Sequence, residues 1–409
     1  MRERFKCRSC QSTRGEMVLD LGCQPLANNL LREADLDQSE PRFPLRVFVC
    51  PDCWLLQITD LVPPVTLFSE YPYFSSFSET MLQHAHDATE RYRREFQLDA
   101  QSQVIEIASN DGYLLQYFQR AGVPCLGIEP ATNIAQVARE KGIETWTEFF
   151  GHALAQRLVT ERGPADLVLG NNVFAHAPNT NDFVAGLKAL LKPSGHVVLE
   201  FPHGLELLDK AEFDTIYHEH VFYFTLTALV PLFQRQGLDI FHVERLAIHG
   251  GSLRVFAGHI GARTVTDSVH AQLESERAGG ITDLARYKVF AKHVAAIRTA
   301  LRKQLTDLRS QGKRIAAYGA SAKGSTLLNY CGLGCETLDF VADRSTYKQG
   351  CLTPGTRLPI VPSEELAKRK PDYTLLLTWN FADEILRQQQ AYRDAGGRFI
   401  LPVPELRVI

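Results

Sequence analysis

At 409 residues the chain is too long for one hydrophobic core, and its size favours two to three domains. Hydrophobic residues at 45% and charged residues at 22% are ordinary globular proportions, which argue against long disordered tracts. The formal net charge of −3 removes any broad electrostatic reason to bind nucleic acid or an anionic membrane. The opening MRERFKCRSC has no apolar h-region after it, and no apolar run approaches the roughly 18 residues of a membrane helix. Nine cysteines, four in two CxxC pairs and five scattered, fit reduced thiols plus a metal site better than a disulfide framework, so a cytoplasmic protein is expected.

Cys7 and Cys10 form the first CxxC, and Cys50 and Cys53 the second. Two such knuckles predict four thiolates around one zinc ion, the closed coordination of a structural site. A zinc ribbon can also bind nucleic acid, but no basic and aromatic interleaving accompanies this one. The aromatic stretch FSEYPYFSSF then leads into a predicted helix over 79–96, with Tyr71 and Tyr73 carrying hydroxyls that packing alone does not require.

Strand and helix alternate from there. QVIEIA, PCLGIEP, ETWT, DLVLGNN and HVVLEFP read as five strands of a parallel sheet with helices on both faces, an α/β Rossmann-like domain. The loop after the first strand is the expected ligand site. A dinucleotide fold would carry GxGxxG there, whereas this chain has only Gly112. Glu106 near the strand end, Asn110, Asp111 and Gly112 in the turn, and Glu129 ending the second strand look instead like a class I methyltransferase holding S-adenosylmethionine. Gly112 would let the backbone approach the amino-acid end, and Glu129 would accept ribose hydroxyls. Asn171, Asn172 and His176 follow the fourth strand and should rim the same crevice.

FDTIYHEHVFYF comes next, with a phenol, two imidazoles and a carboxylate in Tyr217, His218, Glu219 and His220. Four consecutive side chains cannot share one face, so two should do chemistry while the others support the backbone or each other. A histidine beside a carboxylate is a candidate general base, since its pKa lies near working pH. A hairpin around Gly250-Gly251 should close the sheet. Residues 268–310 read as a connecting amphipathic helical segment, with Leu284, Val289, Val294, Ile297 and Leu301 on its apolar side. RIAAYGASAKGSTLLNY then opens a second Rossmann-like unit, in which Gly319, Ser321, Lys323 and Gly324 can present N–H groups and an ammonium to phosphate. Asp343 parallels Glu129. Three regions are expected: a zinc-binding lobe over 1–75, a donor-binding domain over 76–265, and a helical connector with a nucleotide-sugar domain over 266–409.

CxxC…CxxC, EIASNDGYLL, NNVFAHAPN, YHEHVFYF, YGASAKGSTLLN and VADRSTYKQGCLTPGT, in that order across nearly the whole chain, resemble the three-domain sugar C-3′-methyltransferases that act on nucleotide-linked deoxy-4-ketosugars. The resemblance implies S-adenosylmethionine as donor, a zinc-binding N-terminal lobe, and a dTDP-linked ketosugar as acceptor. It places the base at His220, supported by Glu219, with Tyr217, Tyr71 and His176 also in the site. Tyr318 to Lys323 would help hold the nucleotide diphosphate. One departure is Ser325, where the pattern has Asn. The other readings are an O- or N-methyltransferase on a nucleotide-linked substrate, and a zinc-ribbon nucleic-acid binder.

Overall fold

In the computed structural model, which describes residues 5–71 and 73–409, one cysteine knuckle precedes a small antiparallel sheet and the other joins two of its strands. Its strands are Glu16–Pro25, Arg42–Val49 and Leu56–Ile58, and alternation along the second turns Leu45, Val47 and Val49 inward. The fourth strand comes from far along the chain. Phe222–Tyr223, the end of the YHEH stretch, pairs with Leu56 and Gln57. The candidate loop is thereby stitched to the N-terminal lobe.

The central sheet has seven strands. Val104–Ile107, Cys125–Ile128, Thr145–Trp146, Ala165–Asn171 and Leu191–Pro202 run parallel, and the hairpin Leu238–Leu246 with Ser252–His259 adds two antiparallel strands at one edge. Val104–Ile107 is buried at all four positions, as a strand covered on both faces must be. The chain steps outward from it twice and then crosses to the strand at 165–171 on its other side, so a crevice opens beyond these strand ends. The helix Glu79–Glu95 begins where the Ser78 hydroxyl accepts from the Met81 amide, and it ends with Arg93 and Arg94 near its negative pole.

The connector differs from the single segment expected. It is two helices, Asp267–Ala278 and Leu284–Ser310, broken at Gly279-Gly280. A Cβ on Gly279 would come within 2.7 Å of Leu205, and Gly280 has φ +79°, a conformation side chains resist. Val294, Ile297 and Leu301 are buried as the periodicity implies, but Val289 is exposed and Phe290 takes the inward position. The third sheet places Ile315–Tyr318 between Val341–Asp343 and Tyr373–Leu376, all parallel, and so has a switch point of its own. Both switch points open onto one cavity.

Candidate active site

That cavity measures about 790 Å³ and is lined from all three sheets: Asn28 from the first, Asn110, Glu129, Asn172 and His176 from the second, Ser321 and Lys323 from the third. Its volume falls in the range of sites that enclose a small ligand, roughly 300–1,000 Å³.

The donor half rests on a strained turn. Ala108, Asn110 and Gly112 all have positive φ, and a Cβ on Gly112 would meet Ile143 at 2.9 Å. Glu129 anchors the turn by accepting the Asn110 amide (3.0 Å) and the Ala131 amide (2.8 Å). Burial outweighs these bonds and raises its carboxyl to about 7. Each oxygen keeps a lone pair for a ribose hydroxyl. The Asn110 side chain turns the other way, taking the Ser75 amide and donating to the Tyr73 carbonyl, while Asn133 is bonded to both backbone groups of Tyr71. These two amides strap the aromatic segment across the crevice.

Three residues expected to touch the donor, Glu106, Asp111 and Gly112, are not part of the cavity lining. Glu106 is shut inside its strand, with neither carboxylate oxygen hydrogen-bonded, and burial drives its pKa far up. Asp111 faces Ser76 and Lys141 (2.9 Å) and acts as a clamp on the strap. Asn171 donates to the Tyr113 hydroxyl at 3.2 Å, and Asn172, at φ 54°, bonds back to the Glu200 carbonyl.

YHEH divides its labour as the spacing demands. His218 points away and meets the Pro44 carbonyl in the N-terminal lobe at 3.2 Å. His220 Nδ1 lies 2.8 Å from the Thr215 carbonyl, which can only accept, so Nδ1 carries the proton and Nε2 the lone pair. The Tyr217 hydroxyl donates to that Nε2 at 2.9 Å. The support expected from Glu219 is thus supplied by Thr215 and Tyr217. Glu219 itself accepts from Asn28 (2.7 Å) and Tyr71 (3.1 Å), and its backbone carbonyl accepts from His176 Nδ1 (2.7 Å). Burial lowers His176 to about 4, and its ring stands 4.9 Å from that of His220. The Glu219 carbonyl can only accept, so Nδ1 carries a proton.

Burial also raises Glu219 from its ordinary 4.5 to about 7, against the pull of Asn28 and Tyr71. Between those pH values the folded chain holds a proton that the unfolded chain has released, so this residue's stabilisation falls as pH rises through about 7. Wild type should lose thermal stability relative to Glu219→Gln across that window. A melting-temperature difference that stays flat from about pH 5 to 8 would mean that the carboxylate is ionised in the fold.

In the C-terminal unit the glycine-rich turn is built as a cradle. Gly319 has φ +94° and passes too close to Thr378 for any side chain. Asp343 braces the turn by accepting the Ala320 and Ser345 amides and is not part of the cavity lining, and Tyr318 is buried in the strand. Ser321 caps the helix Ala322–Cys331, whose N-terminal end meets the cavity between Lys323 and Lys348. Lys348 holds the Ala320 carbonyl at 2.8 Å. Ser325 is buried outside the cavity lining, so the departure at this position does not alter the wall.

The four cysteine sulfurs converge within 4.8 Å, with Cys7 to Cys53 at 3.5 Å and Cys10 to Cys50 at 3.6 Å. Those spacings approach the edge of a tetrahedron with metal–sulfur bonds of about 2.3 Å. The set fits a structural zinc and leaves it no open position.

Asn28, Asn133, Thr215 and Lys348 were not singled out from the sequence. Asn28 and Asn133 sit in LANN and PATN, polar pairs beside chain reversals, which is a signal of sorts. The Thr215 role belongs to its backbone and leaves no trace in residue type.

Three family models match successive parts of the chain: "Putative zinc binding domain" over residues 7–68, "Methyltransferase domain" over 79–243, and "C-methyltransferase C-terminal domain" over 247–404. The C-methyltransferase NovU of Streptomyces niveus is 39% identical over 405 residues, covering 99% of this chain and 96% of the relative. A ubiquinone biosynthesis O-methyltransferase of Bordetella avium (strain 197N) is 30% identical over 96 residues, 23% of this chain and 40% of that protein. Among solved structures, the PH0226 protein of Pyrococcus horikoshii OT3 aligns at TM-score 0.38 and 15% identity, over 46% of this chain and 96% of its own. Magnesium protoporphyrin IX methyltransferase of Synechocystis PCC 6803 with bound SAM aligns at 0.34 and 15%, over 43% and 78%.

Proposed function

This chain belongs to the S-adenosylmethionine-dependent C-methyltransferases, and we propose that the carbon it methylates is C3′ of a dTDP-linked deoxy-4-ketosugar, with His220 as general base. The observation that carries the reading is the shared cavity. One continuous space touches Glu129 on the donor side, Ser321 and Lys323 on the phosphate side, and also His220. Glu129 is the group to hold the donor ribose, and the cradle with Lys323 and Lys348 suits a diphosphate.

S-adenosylmethionine supplies an electrophilic methyl on a sulfonium, and the protein must make a carbon nucleophile for it. A carbon beside a ketone is the acidic position of such a sugar. The resting hydrogen bond from Tyr217 to His220 Nε2 occupies the lone pair that the base needs. A ketone oxygen at C4′ that draws the Tyr217 hydroxyl to itself frees Nε2 in the same movement. The C3′–H bond then breaks as Nε2–H forms, and the enolate oxygen accepts from Tyr217. The C3′–methyl bond forms as the sulfur–methyl bond breaks. His176 directs its Nδ1–H at the Glu219 carbonyl, which favours Tyr217 as the donor to that oxygen.

Incubation with a dTDP-4-ketosugar and donor in heavy water tests the reading. Expected are a carbon-bound methyl at C3′ and deuterium exchange at C3′ in unconverted acceptor. Turnover of the matching C4′ alcohol, or a methyl found on oxygen or nitrogen, would overturn it. On the donor side, Glu129→Gln should weaken binding of S-adenosylhomocysteine about 10- to 100-fold, the worth of hydrogen bonds to a charged acceptor, as read by calorimetry at pH 8.

A further inference from the structure

Trp379 opens the short turn Trp379–Phe381 after a strand of the C-terminal sheet, yet its indole reaches the loop that holds the base. Its Nε1–H donates to Asp214 Oδ2 at 2.7 Å, and Asp214 is fully buried. On the face of the same ring sits the Lys323 ammonium, 4.0 Å from the centroid. Asp214 belongs to the turn Phe213–Thr215, and the Thr215 carbonyl is the group that fixes the His220 proton on Nδ1. A parallel tie runs from the cradle helix, where the Thr326 hydroxyl donates to the Ile216 carbonyl at 3.1 Å. Both ties grip the two residues on either side of Thr215.

We propose that Trp379 is a positioning residue for His220: through Asp214 it holds the turn that sets which nitrogen of the imidazole carries the proton and where the Nε2 lone pair points. The placement of Lys323 on the indole makes the cradle and the base turn one assembly, so an acceptor gripped by the C-terminal unit meets an imidazole already aligned. A base displaced by about an ångström loses on the order of 10²-fold in rate, which sets the scale of the effect. The inference rests on the reading of His220 as base, but its test does not depend on that reading.

The test uses the full-length, zinc-loaded protein labelled with ¹⁵N-histidine, with the His220 ring signals assigned by their loss in His220→Gln. Wild type should show a protonated Nδ1 and an unprotonated Nε2. Trp379→Phe and Asp214→Leu should give mixed tautomers and turnover reduced by about ten- to a hundredfold, with S-adenosylhomocysteine affinity unchanged. Asp214→Asn, whose amide oxygen still accepts the indole N–H, should restore the wild-type signature. Should Trp379→Phe fail to fold, the Asp214→Leu and Asp214→Asn pair makes the same comparison. A folded Trp379→Phe or Asp214→Leu protein with the wild-type tautomer overturns the proposal. A tautomer that changes as expected, in a wild-type enzyme that leaves every 4-ketosugar untouched, would instead count against His220 as the base.

Discussion

A His220→Ala enzyme should transfer methyl groups about 10²–10⁴-fold more slowly than wild type while binding S-adenosylhomocysteine normally. The range is what a well-placed general base contributes, and His220 is well placed: one ring nitrogen is pinned by a backbone carbonyl and the other engages a phenol at the cavity wall. Deuterium exchange into the acceptor should vanish along with product, because both need the same C–H cleavage. Glu219→Gln should do less harm. Its side chain meets Asn28 and Tyr71, and an amide can still bond to both. Single-turnover rates separate these effects from product release. A folded His220→Ala protein with near-normal turnover would take the imidazole out of the chemistry, whereas equal losses in both variants would point to a collapsed loop.

The sheets were legible because period and length announce them. QVIEIA, DLVLGNN and RIAAY are short apolar runs bounded by turn residues, and each became a buried parallel strand. Which residues near a strand end reach the ligand was less legible. Glu106 and Glu129 are both acids near strand ends, yet one side chain is sealed in the sheet and the other lines the cavity, since Glu106 lies inside its strand, paired with Gly127, whereas Glu129 stands one residue past the end of its own. Asp343 resembled Glu129 by position and likewise accepts two backbone amides, but it is absent from the cavity lining where Glu129 is present. The partners of YHEH were the least visible. Asn28 lies 191 residues from Glu219, and no local pattern encodes a contact made by folding one lobe onto another.

Stripping the metal should abolish methyl transfer, although zinc takes no part in the chemical step. Structural zinc sites of this kind contribute about 10–16 kcal/mol to folding, as much as a whole domain's net stability of about 5–15 kcal/mol, so the lobe should unfold when the ion leaves or when Cys50→Ser removes a ligand. What the lobe carries then decides the outcome. Leu56 pairs with Tyr223, the Ile58 amide bonds the Val221 carbonyl, the Pro44 carbonyl meets His218, and Asn28 holds Glu219. Every one of these reaches the stretch from 218 to 223, so the base loop loses its frame and the rate should fall by at least the 10²–10⁴ that the base supplies. Glu129 and its turn belong to a different sheet, and donor affinity should persist within about tenfold. Hydrogen exchange gives the decisive reading: amides of 16–58 and 213–224 should lose protection together while those of 104–107 keep theirs. Lost turnover with the base loop still protected would mean that the metal acts on the reaction directly. An unfolded lobe with normal turnover would mean that the loop holds its own shape, and that the strand it lends to the N-terminal sheet serves the lobe rather than the base.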